Sequence, residues 1–458
     1  MAATTDRPRI WIDDVEVPAS FTRDGIAALA ELSWTWGRTS IYDKNEPTTL
    51  QMQLLDPDGA FAKRALTGLK IRVDLGDGYT VIRGRINDQT AERIELEPGF
   101  HVWRVSLNAA DRLAELAQAI LPGPYNDPLQ IEKFGPDYWT TQTLQERISD
   151  IMAQGGSSIV ARIIYDDPYP TGSYWPRTRY RPYGDQQSVL EMLERIYATI
   201  PLAWVNYNAT GHQIEAGLPA ESDGLELTWD GDTLDLELPS GRTVHAGDVV
   251  APDGLTAATS IEAGIDRVHV SVPQLGPSTD YEIVDNITAK NTSRYDADAY
   301  GRKVLLIETD VFYNHRSQGD AAWQELLAIQ TRNKVDQLNH KLTLPQIQFH
   351  TGLRDYPVDV LRLALNTRSQ SMPIYFKGSV FNAIERAGAA HQIIGGTVTW
   401  HGRKQWWTAT CTLAPALTTY SDGVTIGQLV QIPDPTLGDY AEHITLADLG
   451  NVTQGVAA

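Results

Sequence analysis

Residues 31–59 read ELSWTWGRTSIYDKNEPTTLQMQLLDPDG. Trp34 and Trp36 stand one residue apart, so an extended backbone projects both rings to one face, and Leu50, Met52 and Leu54 alternate with Gln51 and Gln53. That is the period of a strand with one buried side. Asp56-Pro57-Asp58-Gly59 then has turn chemistry, because Pro presets φ and Gly is free to take a positive one. No obvious catalytic group stands here. The stretch describes a shaped, strand-built solid.

The same pattern continues downstream. A short helical piece is expected at Phe61–Leu66, followed by Leu69, Ile71, Val73 and Leu75 alternating with Lys70, Arg72 and Asp74. Gly76-Asp77-Gly78 leads this strand back into Tyr79–Ile86 as a hairpin. A strand at Val102–Leu107 precedes an expected helix at Asp111–Leu121, whose stripe is Leu113, Leu116, Ala117 and Ile120. Residues 1–121 therefore read as an N-terminal β-barrel-like domain.

From residue 122 prolines and aromatics mark a boundary, and 122–225 reads as an α+β domain. Thr143 with Glu146 and Ser188 with Glu191 make capping boxes, stopped by Gly155-Gly156 and by Pro201. Strands return over 226–417, a second strand-rich domain with a helical insertion at about 320–342, where Ala322, Leu326 and Ile329 form one stripe and Trp323 and Leu327 lie beside it. Residues 418–458 read as an extended polar tail. The expected fold class is mainly β with an α+β portion, two barrel-like units separated by the α+β one.

Composition narrows the function. The 458 residues carry 38 Lys plus Arg against 58 Asp plus Glu, a net charge of −20, which repels nucleic acid and anionic membranes. No run approaches the ~18 apolar residues of a membrane helix, and the opening MAATTDRPRI lacks a signal's apolar core. Cys411 is the single cysteine, alternating with Thr410 and Thr412 in a strand, where it reads as a packed small hydrophobe. The ten histidines show no H-x-H, H-x-x-H or HExxH spacing, and Asp56-x-Asp58-Gly59 and Asp230-x-Asp232 lack the glutamate that completes a calcium loop. With no Walker loop, no GxGxxG after a strand and no G-x-S-x-G elbow, neither a cofactor, a metal nor a catalytic residue is expected. Trp103 and Trp400 lie in alternating strands, where burial is the default. The single basic-aromatic cluster, Trp175, Arg177, Arg179, Tyr180, Arg181 and Tyr183, suits a protein interface.

Trp36-Gly37-Arg38-Thr39, the loop Asp43–Pro47, the strand Thr49–Gly59, Gly68–Val73 and Ile82-Arg83-Gly84-Arg85-Ile86 together resemble the N-terminal signature of minor tail proteins from siphophages of actinobacteria. The loop here reads Asp43-Lys44-Asn45-Glu46-Pro47, where that signature carries Gln-Pro. Ile393–Gly396 and Trp407–Pro415 are similar to the same family's C-terminal strands. The resemblance implies a baseplate or tail-tip hub with no enzymatic activity, in which two barrel-like domains from each of three subunits form a pseudo-hexameric ring. It implies assembly in the bacterial cytoplasm into a virion. The implied partners are further copies of the chain, distal tail and tape-measure proteins and other minor tail or central fibre proteins, with DNA passing unbound. A receptor- or carbohydrate-binding tail component and a tail-associated cell-wall hydrolase are the alternatives.

Overall fold

The computed structural model describes residues 7–20, 26–75, 79–121, 144–155, 159–161, 177–178, 187–219, 225–230, 233–237, 243–245, 249–250, 265, 267–275, 281–290, 304–309, 311–312, 321–338, 346–350, 373–377, 390–403 and 405–417. The chain is mainly β. Its first part runs β1 (Pro8–Ile12), β2 (Val15–Glu16), β3 (Leu29–Gly37), β4 (Glu46–Asp56), β5 (Lys70–Leu75), β6 (Tyr79–Glu97), β7 (Phe100–Asp111), α1 (Arg112–Gln118) and β8 (Ile120–Leu121). The middle supplies α2 (Leu144–Gln154), β9 (Val160–Ala161), β10 (Arg177–Thr178), β11 (Gln187–Ser188), α3 (Val189–Tyr197), β12 (Trp204–Asn208) and β13 (Gln213–Gly217). There follow β14 (Leu225–Asp230), β15 (Thr233–Glu237), β16 (Thr243–His245), β17 (Val249–Val250), β18 (Arg267–Leu275), β19 (Tyr281–Lys290), β20 (Val304–Glu308), β21 (Val311–Phe312), α4 (Ala321–Leu338), β22 (Gln346–His350), β23 (Pro373–Lys377), β24 (Ala390–His401) and β25 (Trp406–Pro415).

A 15-stranded sheet carries both ends of the chain, in the order β16-β15-β14-β23-β24-β3-β4-β7-β6-β5-β1-β2, with β25, β22 and β17 branching from β24. The seam is the antiparallel pairing of β24 with β3, from Gly395 opposite Gly37 to His401 opposite Glu31. Alternation explains it: Leu32 and Trp34 on β3, Leu50, Met52 and Leu54 on β4, Val398 and Trp400 on β24, and Trp407, Ala409 and Cys411 on β25 all turn into one apolar cluster. Within it the Trp407 ring lies 5.5 Å from Trp34, edge-on at 74°, and 5.0 Å from Trp400. Trp36 and Trp103 are half-buried and pack at the rim of this core. The two tryptophans of the opening stretch are thus walls of a core drawn from residues more than 350 positions apart.

A second core gathers α1, α2, α3, β12 and β13 with Val268, Val270 and Ile307, and Leu327, Ala328 and Val335 of α4. Ser188 caps α3 through Glu191 N at 3.1 Å while the Glu191 carboxylate accepts from Ser188 N at 2.9 Å, the expected box. Thr143 and Gly156 lie outside the described residues; the helix they flank spans Leu144–Gln154. On α4 the buried side chains include Leu327, Thr331, Val335 and Leu338, while the side chains of Ala322, Trp323, Leu326 and Ile329 lie outside the described ones.

Several elements differ from expectation for local reasons. Phe61–Leu66 is a turn and irregular chain instead of a helix: Gln89 Nε2 donates to Phe61 O at 3.2 Å and Arg64 O at 3.0 Å and Gln89 Oε1 accepts from Leu66 N at 2.8 Å, which takes groups a helix would pair internally. The helix after Asp111 ends at Gln118, since Ala119 is extended and Ile120–Leu121 pairs with Gln187–Ser188, leaving Ile120 exposed. The strand expected to end at Ile86 runs on to Glu97, yet after Ile86 none of its residues is buried.

Trp407→Ala opens a void where three rings meet, and is expected to destabilise the chain by about 3–5 kcal/mol. Urea unfolding followed by far-ultraviolet circular dichroism measures it.

Candidate functional site

The residues that carry the sequence resemblance converge. Gly37, at the end of β3, has φ +83°, and a Cβ there would stand 2.2 Å from Ile394 O and 2.4 Å from Gly395 Cα. A Cβ on Gly395 would meet Trp36 O at 2.7 Å and Arg38 N at 2.9 Å, and one on Gly396 would meet Thr410 O at 2.2 Å. Only glycine lets these backbones approach, and the ladder shifts register here, between Ile393 and Gly395 and between Thr35 and Gly37. Arg38 N then donates to Ile394 O at 3.0 Å, extending the seam by one bond.

Arg38, only 5% exposed, turns its side chain inward. Its Nη1 donates to Ile41 O at 2.9 Å and its guanidinium lies 3.7 Å over the Trp204 ring. Burial pushes its pKa down to about 9, partly offset by the negative charge of Asp43. Thr39 Oγ1 donates to Asp43 Oδ2 at 2.7 Å and closes the 39–43 loop. Arg38 thus joins the main sheet to the β12 edge of the second core. A cavity of about 440 Å³ opens beside it, walled by Ile41, Tyr42, Leu202, Leu305 and Leu306 and lipped by the ion pairs Lys44–Glu194 and Arg195–Glu308.

A second junction ties β6 to the β12–β13 turn. Arg83 Nε donates to Ala209 O and Thr210 Oγ1 to Thr80 O, each at 2.8 Å. Beside it, Asp111 caps α1 through Leu113 N at 3.0 Å and is wholly buried. Burial raises its pKa to about 6, and bonds from Thr48, Leu113 and Ala114 oppose the shift. Tyr207 Oη and His212 Nδ1 share a hydrogen bond of 2.8 Å; burial and then the cations Arg83 and Arg112 depress the imidazole's pKa.

Burial pushes the Tyr207 phenol's pKa up, which disfavours a phenolate there. Cys411 is fully buried and burial pushes its thiol pKa up, which removes the thiolate that chemistry would need. Among the described residues no three His, Cys, Asp or Glu side chains cluster to hold a metal ion, and no helix is long and apolar enough to cross a membrane. Of the basic-aromatic cluster, Trp175, Arg179, Tyr180, Arg181 and Tyr183 lie outside the described residues. Arg177 lies in β10, opposite Phe312 of β21. In the sequence Arg38 and the glycines are motif residues with no local sign that they touch, and Trp204 carries no local signal, since its role arises from a contact across the fold.

No family model matches the chain, and no curated protein matches it. Solved structures similar to it include a 43 kDa tail protein of prophage MuSo2 from Shewanella oneidensis, 12% identical over 88% of this chain and 97% of that one, with a TM-score of 0.46. A tail protein from Neisseria meningitidis MC58 is 10% identical over 89% of this chain and 96% of that one, TM-score 0.49. The E. coli c3393 protein, a type VI secretion system component with structural similarity to phage T4 tail proteins gp27 and gp5, is 12% identical over 90% of this chain and 77% of that one, TM-score 0.43.

Arg38→Lys removes the planar stack on Trp204 and the fork that reaches Ile41 O, and is expected to cost about 2 kcal/mol, read as a lower urea midpoint at unchanged slope. Asp111 gives a pH signature. Its folded pKa, about 6, lies above the ordinary 3.8, so its contribution is complete below pH 3.8 and is lost as pH rises toward 6. The loss is on the order of 3 kcal/mol. Asn caps a helix as well as Asp does, so Asp111→Asn is expected to keep the fold and abolish that component. Stability measured from pH 3.5 to 7 for both chains, and subtracted, isolates it.

Proposed function

We propose that the chain is a structural component of a phage tail, a trimeric hub at the tail tip that joins the distal tail and tape-measure proteins to the tip and lets DNA pass. One observation supports the reading: the motif blocks that resemble the minor tail family, at 36–39 and 393–396, meet in space through close backbone approach. Gly37, Gly395 and Gly396 make room, and Arg38 clamps the adjoining unit. Residues used in that way specify a rigid wall, which is what a part working by shape requires. The net charge of −20 suits an assembly through which DNA passes without adhering.

The chain purified at micromolar concentration is expected to scatter light with the mass of a trimer and to show no sedimentation with host cell walls. A monomer that binds or clears cell wall would replace this reading with an adhesin or a hydrolase.

A further inference from the structure

The cavity beside Arg38 runs along a free strand edge. Its wall takes residues 202–205 and 305–308 one after another. Side chains of a strand alternate between its faces, so a cavity under one face meets every second residue, whereas one that meets consecutive residues lies beside the backbone. Among the described residues β20 pairs only with β18, in parallel, and the cavity follows its other edge. Every second residue of β20 turns its N–H and C=O to that side. On the opposite wall β12 is already met, since Asn45 Nδ2 donates to Val205 O at 3.4 Å. The edge with room is that of β20.

Three features mark this edge as one that something covers. The strand reads VLLIE, with neither the proline nor the lysine that blunts edges left to solvent. Val304 and Leu306, 49% and 54% exposed, are two of the five large hydrophobic side chains exposed among the described residues. Arg38, in the cavity wall, keeps its Nη2 buried with no acceptor among the described residues, so a carbonyl entering beside it would meet an unpaired donor.

The chain itself supplies an occupant. Its last described residues do not turn to solvent: Ala416 and Leu417 are buried, and Leu417 shares an apolar cluster with Ile41, against which Tyr42 and Leu202 pack. Those three residues belong to the cavity wall. Residues 418–458 lie outside the described residues. In sequence, Val424, Ile426, Val430 and Ile432 fall at alternate positions of the nine-residue stretch VTIGQLVQI, which holds no charge and ends at Pro433. Val424 is seven residues past Leu417, up to about 23 Å of extended chain. An uncharged strand suits a cavity whose lip charges, Lys44 with Glu194 and Arg195 with Glu308, are already paired. We propose that residues 424–432 of the chain's own C-terminal segment enter this cavity and add to β20 as the fourth strand of the β19-β18-β20 sheet. Main-chain hydrogen bonds hold the segment, and it closes an edge at which another chain would otherwise pair. The docking is a property of the single chain, whatever that chain assembles with.

Two measurements on the full chain test this. Cys411 is buried, so Leu306→Cys with Val430→Cys gives one addressable pair of thiols. A short bis-maleimide is expected to join them within one chain, at least tenfold faster than it joins Val430→Cys to Val15→Cys, an exposed position on β2. Equal linking to both positions overturns the proposal, and links between two chains overturn it by assigning the cavity to a second copy. In the other measurement, Val430→Asp with Ile432→Asp sets two charges against the apolar wall while leaving both cores untouched. Hydrogen exchange of amides 304–308 is expected to rise at least tenfold in that variant, with 29–37 unchanged. Exchange at 304–308 that is already rapid in the unaltered chain, or that the two aspartates do not change, contradicts the proposal.

Discussion

The pairing of β3 with β24 is the constraint on which the rest of the molecule depends. It joins residues 31–37 to residues 395–401, makes one sheet of two distant parts of the chain, and seals a core that neither part encloses alone. Closing such a contact costs loop entropy that local strand propensity cannot offset, so it persists through what it buries. Trp34, Trp400 and Trp407, each no more than 3% exposed, supply that burial and add edge-to-face contact.

Around this seam the polar interactions locate and the apolar ones stabilise. Arg38 on Trp204 and Arg83 on Ala209 O hold the second core against the first at two separated points, which fixes orientation as well as contact. Both use a guanidinium at a backbone carbonyl or an aromatic face, where its planar shape and weak hydration suit it better than an ammonium. The result is two apolar cores tied together at two separated points.

Much of the strand content was legible because one buried face imposes a period of two: β3, β4, β5, β7 and β25 follow alternating residues, and the Ser188–Glu191 box marks α3 in the sequence itself. The misses share a physical cause. The extension of β6 past Ile86 has no buried face and so no period to read. Phe61–Leu66 has helix-forming residues, but Gln89, more than twenty positions later, takes the Phe61 and Arg64 carbonyls and the Leu66 amide. Ile120 sits on the expected helical stripe, yet its backbone is claimed by Gln187–Ser188. At the seam, Gly37 and Gly395 are visible as letters, while the reason for them, that the facing strand's backbone fills the space a Cβ would need, exists only once the two parts of the chain meet.

Hydrogen exchange followed by mass spectrometry tests the seam most directly. Peptides covering 29–37 and 393–401 are expected to open with one common free energy in the native chain, and to lose protection together in Gly395→Val. Retained protection of 29–37 while 393–401 exchanges freely, in either chain, would show that the two parts fold independently and would contradict the account.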